Sequence, residues 1–228
     1  RVEEIDGKPY GTGGYETWGA SGLTGVWAEE NTRDALYRAF RRKETFATSG
    51  PRMQIRLFGG YAFEEPMLTQ ADMLSQAYAS GVSMGGELLA EDGGVPTLIV
   101  WATRDPESAP LQRLQIIKGW TVDGEHHEQV YDVACSDGGT LDPSTHRCPD
   151  NGASVDLSNC SITTGVGAGE LKTVWRDPDF NPEHRAFYYA RALENPTCRW
   201  STWDAVRAGV PPRPDLNATL QERVWSSP

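Results

Sequence analysis

The chain has 228 residues, 38% hydrophobic and 23% charged, enough for one large domain or two small ones with a substantial core. Its formal net charge of −11 leaves no basic field to displace counterions, which argues against nucleic acid and against anionic membrane surfaces as partners. No apolar run reaches bilayer-spanning length, while 24 Gly, 15 Pro, 8 Trp and 8 Tyr point to many turns and β-rich packing.

Residues 1–21 are polar and Gly-rich and read either as an ordered but irregular arm, which Tyr15 and Trp18 could anchor, or as the loose remainder of a longer loop. The best-patterned stretch is Gly22–Arg52. Asn31 or Thr32 can cap a helix that runs to Arg42. Asp34 suits its first turn, and Arg38, Arg41, Arg42 and Lys43 suit its last turns. Ala35, Leu36, Ala39 and Phe40 give that helix one apolar face. Thr45–Thr48 then reads as a short strand stopped by Ser49-Gly50-Pro51, so the stretch predicts one α/β unit. Met53–Phe58 alternates as a half-buried strand, and Thr69 can cap a second helix, Gln70–Ser80, stopped by Gly81.

From Thr97 the pattern turns to β. Strands are predicted at 97–102, 111–122 and 127–134, the last two joined at Asp123-Gly124, a strong hairpin signal. Shorter strands follow at 155–157 and 171–175, and Asp177–Pro182 is a cluster of turn formers. Residues 186–193 alternate, with Phe187, Tyr189 and Leu193 on one face and Tyr188 on the other. Ser201 or Thr202 can cap a short helix to Ala208, ended by Gly209, and Leu220–Trp225 is the last predicted strand.

Four cysteines, Cys135, Cys148, Cys160 and Cys198, fall at no zinc-ligand spacing. An even number in loop-rich sequence predicts two disulfides and an oxidising compartment. Three pairings are open. The preferred one joins Cys135 to Cys148 as a short loop closure and Cys160 to Cys198 as a tie to the later strand.

Three stretches carry a resemblance: EENTR at 29–33 running on to RRKETFATSGPR at 41–52, VWRDPDFNPEHRAFYYARALENPTCRW at 174–200, and LQERVWSSP at 220–228. They resemble the closing part of a bacterial family of unknown function related to PHP-like, CehA-type metal-dependent hydrolases. The resemblance implies an α+β fold, with segments 1–60 and 205–228 closing a PHP-like α/β barrel. Residues 61–204 would form an antiparallel β-sandwich-like module with one helix near 70–80. It further implies the C-terminal portion of a hydrolase of phosphoester or related ester or amide bonds, without a complete active site in this chain. The N-terminal part of the same protein would be its partner and would precede Arg1, and further apolar residues would follow Pro228. A divalent metal (zinc, manganese or iron) and a small-molecule substrate are implied for the longer protein, and no metal for this chain. A periplasmic or secreted location follows from the cysteines and the resemblance together.

Metal sites of that family use His-x-His and Asp-x-His pairs. His126, His127, His146 and His184 show neither spacing, and His126 and His127 point to opposite faces of one strand. What this chain can supply is the margin of such a site. Glu29, Glu30 and Arg33 flank a helix N-terminus, which suits anions, and Thr48, Ser49 and Arg52 follow a strand end. A substrate phosphate or carboxylate could meet Arg33 or Arg52; the alternative is a capping and ion-pair arrangement beside a plain turn. Asp177 and Asp179, and likewise Asp137, Asp142 and Asp150, offer calcium-type oxygen ligands without EF-hand spacing. The competing reading of the chain is a β-rich ligand-binding or structural module of a larger secreted protein, carried by its Trp and Tyr content.

Overall fold

The computed structural model describes residues 2–11, 18–91 and 93–228. Tyr15 lies outside them. The N-terminal arm is more regular than its composition predicts. Its strands β1 (Val2–Ile5) and β2 (Lys8–Gly11) form a hairpin turned by Asp6 and Gly7, whose φ angles of 52° and 75° an Asp-Gly pair readily adopts. Trp18 does anchor the arm, through its carbonyl, which accepts from Trp200 Nε1 at 2.9 Å and from the Arg199 guanidinium.

Strand β3 (Leu23–Val26) leads into α1 (Arg33–Arg41) and returns as β4 (Thr45–Thr48). Thr32 is the cap: its Oγ1 accepts the Ala35 N–H at 3.3 Å, with Asp34 in the first turn and Arg38 and Arg41 in the last. The unit is nevertheless not a parallel crossover. Leu23 pairs with Thr48 and Val26 with Thr45, so β3 and β4 run antiparallel and α1 is an excursion at the tip of a hairpin.

The chain continues through β5 (Gln54–Gly60), a 3-10 turn (Glu65–Thr69) and α2 (Met73–Ser80). Helix α2 therefore starts later than the predicted Gln70, because the 3-10 turn takes the preceding residues. Next come β6 (Gly81–Ser83), β7 (Thr97–Thr103), β8 (Leu111–Val122) and β9 (Glu125–Cys135). Asp123 and Gly124, at φ 50° and 82°, make the predicted turn between β8 and β9. The rest is β10 (Val155–Asp156), β11 (Ser161–Ile162), β12 (Glu170–Arg176), β13 (Arg185–Glu194), β14 (Thr197–Cys198), α3 (Trp200–Ala208), β15 (Thr219–Leu220) and β16 (Arg223–Ser226).

Two sheets dominate, one in the order β12-β7-β5-β6 and one in the order β3-β4-β16-β13-β8-β9, and every pairing among the described residues is antiparallel. They bury one core between them: Ile55, Leu57, Leu98 and Val100 from the first meet Leu114, Ile116, Tyr131, Ala190 and Val224 from the second. Phe58 and Ile99, on the far face of the smaller sheet, pack against Met67, Leu68, Met73 and Ala77 of the helical layer. The result is a β-sandwich capped on one side by α2.

This overturns the expected α+β fold with a PHP-like barrel fragment. Strands hold 39% of the residues and helices 14%, and the described residues form no barrel. A barrel of that kind needs parallel strands joined by helical crossovers. Here the segments expected to close one, 1–60 and 205–228, supply β3, β4, β5 and β16 to the same two antiparallel sheets.

Both disulfides form in the preferred pairing, Cys135–Cys148 and Cys160–Cys198, and no cysteine is free. No helix among the described residues is long and apolar enough to cross a membrane.

Candidate functional site

A cavity of about 670 Å³ opens where the N-terminal half of β13 faces β5, β6 and the turn after β6. Its floor is apolar, from Leu57, Met84 and Leu98, which also belong to the inter-sheet core. Tyr61 and Phe180 line it as aromatic walls, and Glu87, His184 and Arg185 add charge and hydrogen-bonding groups at the rim. Gly85 fixes one wall. Its φ of 82° and its N–H bond to the Pro228 carbonyl at 2.7 Å hold the turn after β6 against the end of β16.

Behind this cavity lies a buried polar network. Lys118 stands in phase with Leu114 and Ile116 on the inner face of β8, and its ammonium is sealed from solvent. It donates to Asp177 Oδ2 at 2.6 Å and to the Asp179 carbonyl at 2.8 Å. Tyr188, a cavity wall residue, donates to the same Asp177 oxygen at 2.6 Å, and Tyr131 donates to Asp179 Oδ2 at 2.7 Å. Burial, then these carboxylate acceptors, pushes both phenols well above their usual range. The arrangement locks the turn after β12 across the end of the sandwich. It also explains why Asp177 and Asp179 do not form the calcium-type pair their spacing allowed: a lysine and two tyrosines of this chain already satisfy them. Asp142 likewise caps its own turn through Ser144, Asp150 accepts from the Gly152 N–H, and Asp137 accepts from Ser136 and Gly167.

Trp120 extends the network outward. His127 stacks on it at 5.3 Å and 19°, and His184 at 6.3 Å and 5°. His184 Nε2 meets Asn181 Nδ2 at 3.1 Å, while its Nδ1 is buried without a partner. His127 pairs with Trp120 across β8 and β9, so strand alternation sends His126 to the other face, as the sequence predicts. His146 packs edge-on against Tyr131 at 5.1 Å. Among the described residues no three His, Cys, Asp or Glu side chains gather as metal ligands.

The expected margin residues fall into two separate places. Glu29 pairs with Arg42 at 3.1 Å in an exposed ion pair, Glu30 accepts from Thr32 Oγ1 at 3.0 Å, and Arg33 opens α1 on the surface. A hydrogen bond from its own main chain, with help from Arg42, holds the Glu29 carboxyl below its usual range. All three lie at the Val26/Thr45 end of the β3–β4 ladder, whereas Thr48, Ser49 and Arg52 lie at its Leu23/Thr48 end, about 10 Å away at strand rise. There Thr48 is buried, its Oγ1 accepting from Gly50 N–H at 3.3 Å, and Ser49 donates to Glu222. The Arg52 N–H reaches Asp105 at 2.7 Å, a bond that with the Glu107 N–H lowers the Asp105 carboxyl. Nearby Glu194 is fully buried. Ser108 donates to one of its oxygens at 2.6 Å and the other has no partner, so burial raises this carboxyl to about 7.

Sequence reasoning passed over Lys118, Tyr188 as a network member, and Glu194. The signal for Lys118 was available: a lysine in register with inward-facing Leu114 and Ile116 must find a buried acceptor. No curated protein and no solved structure matches the chain. Residues 3–228 match the family described as Protein of unknown function (DUF3604), and the chain, a disulfide-bridged β-sandwich over nearly its whole length, belongs to that family.

Proposed function

We propose that this chain is a β-rich ligand-binding module of a larger periplasmic or secreted protein, and that the cavity beside β13 is its binding site. The observation that carries the reading is the cavity itself: about 670 Å³ with an apolar floor, aromatic walls and a few polar groups at the rim. That composition is the usual one for a small ligand site. The Lys118–Asp177 network gives the site a rigid back wall. The two disulfides support an oxidising location, since such bridges persist outside the reducing cytosol.

The test is binding of an apolar fluorescent dye, 8-anilinonaphthalene-1-sulfonate, to the folded chain and to Val82→Trp, which fills the cavity from the β6 wall. Saturable binding that the variant abolishes, with the variant still folded, supports the reading. Equal binding by both proteins refutes it.

The second reading places the module in a PHP-like, CehA-type hydrolase that uses zinc, manganese or iron held by ligands outside this chain. One observation favours it: Ser49, Arg52, Asp105 and Glu222 gather at one end of the sandwich, where they could border a substrate bound to another part of the protein. Glu29, Glu30, Arg33 and Thr48 then serve as structural supports of the neighbouring turns. Ser49→Ala and Arg52→Ala in the longer protein should lower turnover of a phosphoester substrate without changing metal content.

A further inference from the structure

The far face of the smaller sheet is only partly covered by the helical layer. Strand register sets three cross-strand rows on that face. Phe58, Ile99 and Val174 form the first and pack under the helices. Arg56, Trp101 and Lys172 form the second, and Gln54, Thr103 and Glu170 the third. Tyr78 of α2 reaches the second row, accepting from the Arg56 guanidinium at 3.1 Å, and beyond it Gln54 and Glu170 are exposed.

A shallow cavity of about 40 Å³ opens there, lined by Trp27, Gln54, Ile55, Arg56, Trp101 and Thr103. Its walls are held in place. Trp27 Nε1 donates to the Ile55 carbonyl at 2.9 Å, and the Arg56 guanidinium stacks on the Trp27 ring, 3.5 Å from its centroid. Lys172 flanks Trp101 from β12, its Nζ 5.8 Å from the ring centroid. Two donors are left over. Trp101 Nε1 is buried and has no partner among the described residues, although a buried indole N–H usually finds an acceptor. Arg56 has no carboxylate of the described residues within ion-pair reach, so most of its fork is unused on a chain whose net charge is −11.

These groups define a ligand. The free guanidinium fork calls for a carboxylate. The indoles call for an apolar ring face, and Trp101 Nε1, Gln54 and Thr103 call for hydroxyls around that ring. The cavity has room for about one water-sized group, roughly 30 Å³, so the ligand lies on the surface and sends a single polar group inward. A flat aromatic acid supplies the carboxylate but no hydroxyls. A neutral sugar supplies hydroxyls but leaves Arg56 without its anion. We infer that this face is a second binding site, separate from the cavity beside β13, and that it takes an acidic saccharide: a uronic acid unit whose carboxylate meets Arg56 and whose ring lies against Trp101. A short oligosaccharide suits it better than a long polyanion, which the acidic surface around the site repels.

The test is titration of the folded chain with trigalacturonic acid, read at the Trp101 indole N–H resonance in proton–nitrogen NMR spectra. Trp101→Phe assigns that resonance by its loss. Expected is a saturable shift, roughly tenfold weaker binding in Arg56→Gln, and a similar loss for the fully methyl-esterified trimer. Lys172→Gln, on the other side of the indole, is the second charge variant and should also weaken binding. Val82→Trp, which fills the cavity beside β13, should leave binding unchanged. No shift at millimolar trimer overturns the inference. So does equal affinity for the methyl ester, equal affinity for benzoate, binding undiminished in both charge variants, or loss of binding in a folded Val82→Trp.

Discussion

Lys118 Nζ lies 2.6 Å from Asp177 Oδ2, and both side chains are closed off from water. Each charge has only the other and a few hydrogen bonds to replace its hydration. Removing one partner strands the other, which typically costs about 3–5 kcal/mol. Lys118→Met should therefore lower unfolding stability by that amount in urea titration. Lys118→Met combined with Asp177→Asn should recover most of the loss, because the amide still accepts from Tyr188 and no buried charge remains. A single variant as stable as the parent would show that the pair is solvated.

The two bridges should differ in strength. Cys135–Cys148 closes a separation of 13 residues and Cys160–Cys198 one of 38. Removing either should cost about 2–5 kcal/mol, and chain entropy makes the longer closure worth roughly 1 kcal/mol more. Denaturant midpoints of the two double Cys→Ala variants measure this. Thiol titration of the denatured, unreduced chain should find almost no free thiol.

Glu194 should make stability fall as pH rises. Its folded-state carboxyl is raised from 4.5 to about 7 by burial, so below 4.5 both folded and unfolded forms hold the proton and its contribution is fully present. Between those values the unfolded chain releases the proton first, and roughly 2–3 kcal/mol is lost by the time pH passes 7. Glu194→Gln should remove that decline. The check is the difference in urea midpoint between variant and parent, below pH 4.5 and above pH 7.

Gly85 should tolerate no side chain. It sits at φ 82°, and a Cβ would come within 2.5 Å of the Arg42 and Lys43 carbonyls, which are main-chain atoms and cannot swing aside. Gly85→Ala should cost about 1–3 kcal/mol from the backbone conformation, with the clash in addition. It should also weaken dye binding, since this turn forms a cavity wall. Thermal unfolding and dye titration of the variant report the two effects separately.

Local features were legible in the sequence where one short stretch decides them. Asp123-Gly124 with alternating flanks marks β8 and β9, and Thr32 followed by Asp34 marks the start of α1. Asp6-Gly7 carries the same hairpin signal, which a reading of residues 1–21 by composition alone does not pick up. The direction of β4 was not legible, because a strand, a helix and a strand in sequence read as a crossover; only the ladder from Leu23 to Thr48 shows the return to be antiparallel. The cavity was illegible for a related reason. Its walls come from Leu57, Glu87 and Phe187, which no local pattern connects. Of the expected margin residues, alternation and capping placed each one locally, but their separation at two ends of one ladder depends on pairing.

Strand β16 lies between β4 and β13 in the larger sheet, with Thr48 and Leu193 bonded to its two sides. Among the strands of that sheet it is the last to leave the ribosome, yet it occupies a central position. The β3–β4 hairpin, synthesised early, has no other neighbour in the sheet and must wait for residues 223–226 before it can dock. Assembly of the larger sheet is thus deferred until this last strand has been made.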